Sequence, residues 1–160
     1  NGGYGRFLSN HDQDRTFDVV GQDAARARQA ATLLLTGPGV PFVYYGEEIG
    51  LRGRKPDEQI RTPMPWTGAA PGFGFTSGKP WEPFAEGAER ANVTAESGDP
   101  DSLLAHYRAL IHLRSSDPDL AGDAKHHRSS PPMVEPTGGF SAWSVGRLGP
   151  HEDLVIALEH

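Results

Sequence analysis

One short segment of the chain brings together side chains that could act on a bound ligand. Residues 7–15 place His11, Asp12 and Arg15 within five positions of one another. These residue types combine hydrogen-bond acceptors, donors and charge of both signs. A His-Asp pair in a loop also fits a plain structural turn, so its meaning depends on the elements that flank it.

Metal binding is a poor explanation of this segment. A calcium loop beginning at Asp12 would put Phe17 where the sharp turn requires glycine, and its last ligand would be Asp23 instead of a glutamate. The intermediate ligand positions would be Asp14, Thr16 and Asp18. The other internal histidines show no metal-ligand spacing with His11. We therefore expect no metal ligand and no cofactor in this chain.

The flanking pattern predicts a strand, a helix and a second strand. Residues 6–8 form a short apolar step, and residues 23–36 have helical spacing with Asp23 as the N-cap. Residues 40–45 are apolar on both faces, which is typical of a parallel strand covered by helices. The Asp12 loop would then follow the first strand, at the edge where α/β folds bind ligands.

The remainder of the chain is less regular. Residues 46–97 show no sustained periodicity, and their tryptophan and phenylalanine clusters predict a folded loop that buries these rings. A second helix is predicted from an Asp99 cap to Asp117, with residues 103, 107, 110, 111 and 114 on one face and His106 at the solvent edge. Residues 140–145 and 154–157 resemble strands.

Composition excludes several classes of function. The chain has 160 residues, a net charge of -6 and no cysteine. It has no basic run for a nucleic-acid partner and no apolar stretch of the roughly 20 residues that a membrane span needs. Its 20 glycines and 14 prolines indicate a folded, loop-rich protein.

Three segments together resemble blocks of the alpha-amylase family of glycoside hydrolases. Residues 7–15 contain Phe-x-x-Asn-His-Asp, the core of its fourth signature block, and residues 39–50 resemble its seventh block. Residues 61–66, Arg-Thr-Pro-Met-Pro-Trp, resemble a loop of alpha-glucosidase-like and trehalose-synthase-like members. Those members usually continue Gln-Trp-Asp after Met, so Pro65 is a departure and no substrate contact is carried over to this loop.

The resemblance implies an α/β fold that is the C-terminal part of a (β/α)8 TIM barrel. Residues 1–117 would hold strands 7 and 8 with helices 7 and 8, including the long 46–97 loop. Residues 118–157 would be the truncated start of an antiparallel β domain. Independently of the resemblance, the sequence Leu-Glu-His at residues 158–160 is typical of a tag remnant. On this interpretation the chain is a fragment of a longer protein.

The resemblance also implies roles for individual residues. Asp12 would be the catalytic carboxylate that stabilises the transition state, and His11 and Arg15 would bind substrate. Calcium would belong to the parent protein through residues outside this chain. The implied partner is an alpha-glucan or maltooligosaccharide. Four residues of the seventh block would anchor loops, namely Tyr44, Tyr45, Glu47 and Glu48.

The nucleophile and the acid/base of this family would lie upstream of the chain. We therefore predict that the fragment alone has no detectable turnover, and that its two exposed strands make it self-associate. Three alternatives remain: a trehalose synthase or other transglycosylase, a non-catalytic carbohydrate-binding member of the family, and an unrelated βαβ domain.

Overall fold

A computed structural model describes residues 4–121 of the chain. In chain order its elements are β1 (Gly5–Arg6), α1 (Thr16–Val19), α2 (Ala24–Thr36), β2 (Val40–Pro41), α3 (Asp57–Ile60), α4 (Val93–Ser97), α5 (Leu103–Ser116) and α6 (Pro118–Ala121). A 3-10 turn, Glu47–Ile49, follows β2. None of the helices among these residues is long and apolar enough to cross a membrane.

The two strands are parallel and α2 connects them, as the sequence predicts. Gly5 pairs with Val40 and Arg6 with Pro41. Both strands are shorter than predicted. Beyond β2 the chain turns, and the amide of Glu47 donates to the carbonyl of Tyr44 at 3.1 Å. Since the strands run in the same direction, the loops that follow them emerge at the same edge of the sheet.

The N-terminus of α2 lies where the sequence predicts it. The Asp23 carboxylate accepts hydrogen bonds from the amides of Ala25 (2.8 Å) and Arg26 (3.2 Å), which satisfies two donors of the first turn. At the other end, Arg114 of α5 donates to the carbonyls of Leu35 and Gly37 at 2.9 Å each. A long-range guanidinium thus binds carbonyls that the helix end leaves unpaired.

The predicted start of α5 is wrong. Its N-cap is Ser102, whose hydroxyl accepts from the amide of Ala105 at 3.0 Å. Asp99 instead accepts from the amide of Asp101 at 2.8 Å and forms a turn before the helix. The predicted helix end at Asp117 is confirmed.

Helices α2 and α5 pack against each other and form the main core. Its buried members are Ala27, Ala31, Leu34, Leu35, Leu103 and Tyr107. Ile111 was predicted on this face but is 49% exposed, while Leu104 is buried in a second cluster beneath the loops. His106 is half-buried instead of solvent-facing, with Nε2 3.0 Å from the Thr32 hydroxyl. The second cluster comprises Ile49, Leu51, Met64 and Leu104.

Residues 46–97 are mostly irregular, as predicted, but they do not bury all their aromatic rings. Phe73 packs on Phe84 with ring centroids 4.6 Å apart. Trp66 and Trp81, in contrast, are 49% and 70% exposed.

Residues 118–121 form α6. The predicted strands at 140–145 and 154–157 lie outside the described residues, as does the rest of the predicted β domain.

Candidate active site

The loops that follow β1 and β2 meet and form the candidate site. The first carries residues 9–16 and the second residues 42–48. The hydroxyls of Ser9 and Thr16 both donate to one oxygen of Glu47, at 2.5 Å and 2.6 Å. These three residues are buried, with 2%, 9% and 5% exposure. Glu47 therefore anchors the Asp12 loop on both sides, which confirms the anchoring role predicted for it.

Asp12 lies at the tip of this loop, with its carboxylate towards solvent. Its side chain is 60% exposed, and one oxygen lies 3.2 Å from Nε2 of His11, which is 65% exposed. The Asn10 side chain accepts from the amide of Asp12 at 2.8 Å and shapes the turn. The structure thus brings the predicted pair together in an accessible position.

Arg61 binds the other oxygen of Asp12. Its Nη2 lies 3.0 Å from the Asp12 carboxylate and 2.6 Å from that of Asp57, and its Nε donates to the carbonyl of His11 at 2.9 Å. Because these groups are largely exposed, water screens the ion pairs and they contribute little stability. Their effect is to orient the Asp12 carboxylate between the His11 imidazole and the Arg61 guanidinium.

The structure does not bring Arg15 to the exposed pair. Arg15 is 0% exposed. Its guanidinium carbon lies 4.2 Å from the ring centroid of Tyr44 and 4.5 Å from that of Tyr45, and Nη1 donates to the carbonyl of Tyr45. Burial lowers the pKa of Arg15 from its ordinary value, although the neighbouring tyrosines and Glu47 counteract this. Arg15 thus joins the two loops from inside.

The two tyrosines also anchor the segment after β2. The Tyr44 hydroxyl donates to the carbonyl of Ile60 at 3.2 Å, and the Tyr45 hydroxyl donates to that of Thr62 at 2.8 Å. Burial raises the pKa of Tyr44 to about 12. These bonds place the segment that carries Arg61 beside the Asp12 loop.

Glu48 differs from the other residues of its block. Its Oε2 is buried and has no hydrogen-bond partner among residues 4–121. Burial raises the pKa of the Glu48 carboxyl above its ordinary value. The loop-anchoring role predicted for Glu48 is therefore not evident in its contacts.

Sequence reasoning missed the role of Arg61. The available signal was the Arg-Thr-Pro-Met segment, but Arg61 and Asp12 are 49 positions apart and nothing local predicts their contact. Within the described part of the chain, no group of three His, Asp or Glu side chains could hold a metal ion. The expectation of no cofactor stays a prediction.

The sequence of this chain is similar to those of known proteins. The family model "Alpha amylase, catalytic domain" matches residues 2–123. The chain is 40% identical over 117 residues to alpha-amylase SusG of Bacteroides thetaiotaomicron, which covers 71% of this chain and 16% of SusG.

Two solved structures are similar in both fold and sequence. The alpha-amylase from H. orenii superposes with a TM-score of 0.64 at 46% identity, over 72% of this chain and 23% of that one. The trehalulose synthase MutB from Pseudomonas mesoacidophila MX-45 superposes with a TM-score of 0.66 at 29% identity, over 72% of this chain and 28% of that one.

The chain thus spans between 16% and 28% of the length of these relatives. The family model covers about three quarters of the chain, including the Asp12 loop, the segment after β2 and helix α5. The chain belongs to the alpha-amylase family of glycoside hydrolases.

Proposed function

We propose that the chain is the C-terminal part of the (β/α)8 barrel of a retaining glycoside hydrolase acting on alpha-linked glucose oligosaccharides or polysaccharides. One observation carries this proposal: the exposed carboxylate of Asp12 lies beyond the carboxyl end of a parallel strand, between His11 and Arg61. Active sites of TIM barrels lie at that edge of the strands. On this assignment β1 and β2 are strands 7 and 8.

Asp12 is the carboxylate that stabilises the transition state. Glycoside hydrolysis passes through an oxocarbenium-like state, and an oriented negative charge beside it lowers the barrier. His11, next to Asp12 and equally accessible, hydrogen-bonds hydroxyls of the same sugar. Arg15 acts differently from the substrate contact predicted for it, because complete burial keeps its guanidinium away from a ligand. We assign it a positioning role through Tyr45.

The nucleophile and the acid/base come from residues outside this chain. A retaining enzyme needs two carboxyl groups about 5–5.5 Å apart in addition to Asp12. One preorganised electrostatic group contributes about 2.7–4 kcal/mol, whereas enzymes lower barriers by about 8–23 kcal/mol. We therefore expect the 160-residue chain alone to release no p-nitrophenol from an alpha-glucoside. Release that scales with protein through purification would contradict this expectation.

The main test is Asp12→Asn in the complete protein. This change keeps the shape of the side chain and removes its charge, so kcat should fall about 10²–10³-fold. Asp14→Asn is the matched control, because Asp14 lies in the same loop and accepts from the backbone amide of Lys55. Activity of the Asp12→Asn protein close to that of the wild type would refute the proposed role.

A transglycosylase is the second candidate, and the similarity to a trehalulose synthase favours it. Both reactions use the same carboxylates and differ in whether water or a sugar hydroxyl attacks the intermediate. The complete protein incubated with maltose should release glucose if it is a hydrolase. Formation of trehalose or another isomeric disaccharide as the main product would favour the second candidate.

Apolar side chains in or next to the two strands are expected to pack against further parts of the barrel. Phe7, Val40 and Phe42 are 50%, 54% and 59% exposed. Exposed apolar surface and unpaired strand edges promote association. We therefore expect the chain alone to self-associate. A monodisperse monomer in light scattering at high micromolar concentration would contradict this.

A further inference from the structure

Residues 55–61, which we call the α3 segment, contribute two charged side chains to the surroundings of Asp12. Asp57 begins α3, and Arg61 follows its last residue. The two residues are four positions apart, so their side chains lie on the same side of one helical turn. Oδ2 of Asp57 lies 2.6 Å from Nη2 of Arg61. The same nitrogen lies 3.0 Å from the Asp12 carboxylate, so the two carboxylates share one donor group.

The backbone of the α3 segment is anchored independently of Asp12. Ile60, the residue before Arg61, is 0% exposed, and its carbonyl accepts from the Tyr44 hydroxyl at 3.2 Å. Ahead of the segment, the amide of Gly53 donates to the buried carboxylate of Asp18 at 2.7 Å. The backbone that carries Asp57 and Arg61 is therefore fixed on both sides.

The side chain of Arg61 depends on its acceptors for a defined position, because it is long and partly exposed. Its guanidinium binds the carbonyl of His11 and the carboxylates of Asp12 and Asp57. The first two acceptors belong to the Asp12 loop and move with that loop. Asp57 lies outside the loop, on the anchored α3 segment. Asp57 therefore connects the guanidinium, and through it the Asp12 carboxylate, to a fixed part of the backbone.

Asp57 is itself kept in its charged form. Nζ of Lys55 donates to its other carboxylate oxygen, Oδ1. The hydrogen bond from Lys55, together with the charge of Arg61, lowers the pKa of Asp57 below its ordinary value. Both oxygens of Asp57 thus accept from cationic side chains, and the carboxylate is available to Arg61 at the pH at which enzymes of this family would be assayed.

We propose that Asp57 is a positioning residue for catalysis: it holds Arg61 so that the guanidinium fixes the Asp12 carboxylate beside the reacting sugar. The inference rests on the proposed role of Asp12. Asp57 acts through Arg61 and touches neither the substrate nor the reacting atoms. Because Asp12 acts on the transition state, losing its orientation lowers kcat more than it changes KM.

The test is Asp57→Ala in the complete protein, assayed with maltotriose. Misplacing a catalytic group by about 1 Å can cost about 10²-fold in rate, and Arg61 keeps two of its three acceptors, so kcat should fall about tenfold. KM should change by less than about twofold. Asp57→Asn should restore part of kcat, because its amide oxygen accepts from Nη2 of Arg61. Glu58→Ala, at the adjacent exposed residue of the same helix, is the control and should keep the wild-type kcat.

A double-mutant cycle measures whether Asp57 acts through Arg61. Arg61→Gln and the double variant Asp57→Ala/Arg61→Gln should have equal kcat, because removing Asp57 has no further effect once the guanidinium is absent. A merely structural role would instead give losses that multiply in the double variant. The urea midpoint of Asp57→Ala should stay close to that of the wild type, because water screens its ion pairs.

The outcomes separate this inference from the proposed function. Multiplying losses in the cycle, an Asp57→Asn loss as large as that of Asp57→Ala, or a wild-type kcat in Asp57→Ala would each overturn the positioning role. If Asp12→Asn lowers kcat in the same assay, the proposed function stands in all three cases. If Asp12→Asn keeps the wild-type activity, the proposed function fails, and the positioning role fails with it whatever the result for Asp57→Ala.

Discussion

Replacing Glu47 with alanine would break the connection between the two loops that build the site. The Glu47 carboxylate is 5% exposed and accepts hydrogen bonds from the hydroxyls of Ser9 and Thr16, at 2.5 Å and 2.6 Å. Both hydroxyls are buried, so the substitution leaves two donors without their acceptor. It also removes negative charge near the buried guanidinium of Arg15.

The loss in the free energy of unfolding can be estimated from these contacts. A hydrogen bond to a charged group contributes about 1.5–3 kcal/mol to stability, so two such bonds contribute about 3–6 kcal/mol. Removing a buried carboxylate also relieves its own desolvation, and water can enter the space left by the shorter side chain. We therefore expect the lower end, a loss of about 3 kcal/mol in the free energy of unfolding. This is a large fraction of the 5–15 kcal/mol typical of a domain.

Urea unfolding followed by far-UV circular dichroism measures this loss as a lower midpoint at unchanged m. Glu47→Gln should lose less, because its amide oxygen still accepts from both hydroxyls. Glu58→Ala, at an exposed glutamate, is the control and should stay within about 0.5 kcal/mol of the wild type. Hydrogen exchange at the amide of Arg15, which donates to Gly53 at 2.8 Å, should accelerate in Glu47→Ala. A loss of under about 1 kcal/mol, with unchanged exchange, would refute the reasoning.

Three further predictions concern other parts of the chain. Because Ser102 caps α5, Ser102→Ala should destabilise the protein by about 1 kcal/mol in urea unfolding, and Asp99→Ala should destabilise it by less. Equal losses in the two variants would contradict the assignment of Ser102 as the cap. Leu34→Ala, at a residue 2% exposed, should cost about 2–5 kcal/mol in thermal unfolding, whereas Leu113→Ala, at a residue 42% exposed, should cost far less. Because burial raises the pKa of Glu48, its protonated form stabilises the fold below the ordinary value of 4.5, and this contribution is lost as pH rises through the higher folded value. Glu48→Gln should therefore gain more stability over the wild type at pH 7 than at pH 4, and an equal gain at both would contradict the burial.

The two long helices show which N-cap residues can be predicted from local sequence alone. Asp23 caps α2 as predicted, because a carboxylate can satisfy amides two and three residues later. At α5 two residues of capping type, Asp99 and Ser102, lie three positions apart. Contacts with α4 favour Ser102, since its hydroxyl donates to the carbonyl of Glu96 at 2.7 Å and the Glu96 carboxylate accepts from the amide of Leu104. Local propensity alone does not distinguish the two caps.

The aromatic residues of the 46–97 segment show where composition misled. Rings in a long loop suggest a buried cluster, and Phe73 and Phe84 do pack together. Trp66 and Trp81 remain exposed, because burial depends on which surfaces lie opposite them. Residue type reports the preference of a side chain for an apolar environment and carries no information on whether the fold supplies one.

Local sequence was enough to identify the family and to predict His11 and Asp12 as site residues. An Asn-His-Asp sequence shortly after a strand is expected at the ligand-binding edge of an α/β sheet, because parallel strands all end at one edge. Tertiary structure decided the surroundings of Asp12: it brought Arg61 from 49 positions away to the carboxylate and buried Arg15 between two tyrosine rings. The physical reason is that the 46–97 segment lacks periodicity. Where it folds back depends on long-range hydrogen bonds and packing that no local pattern encodes.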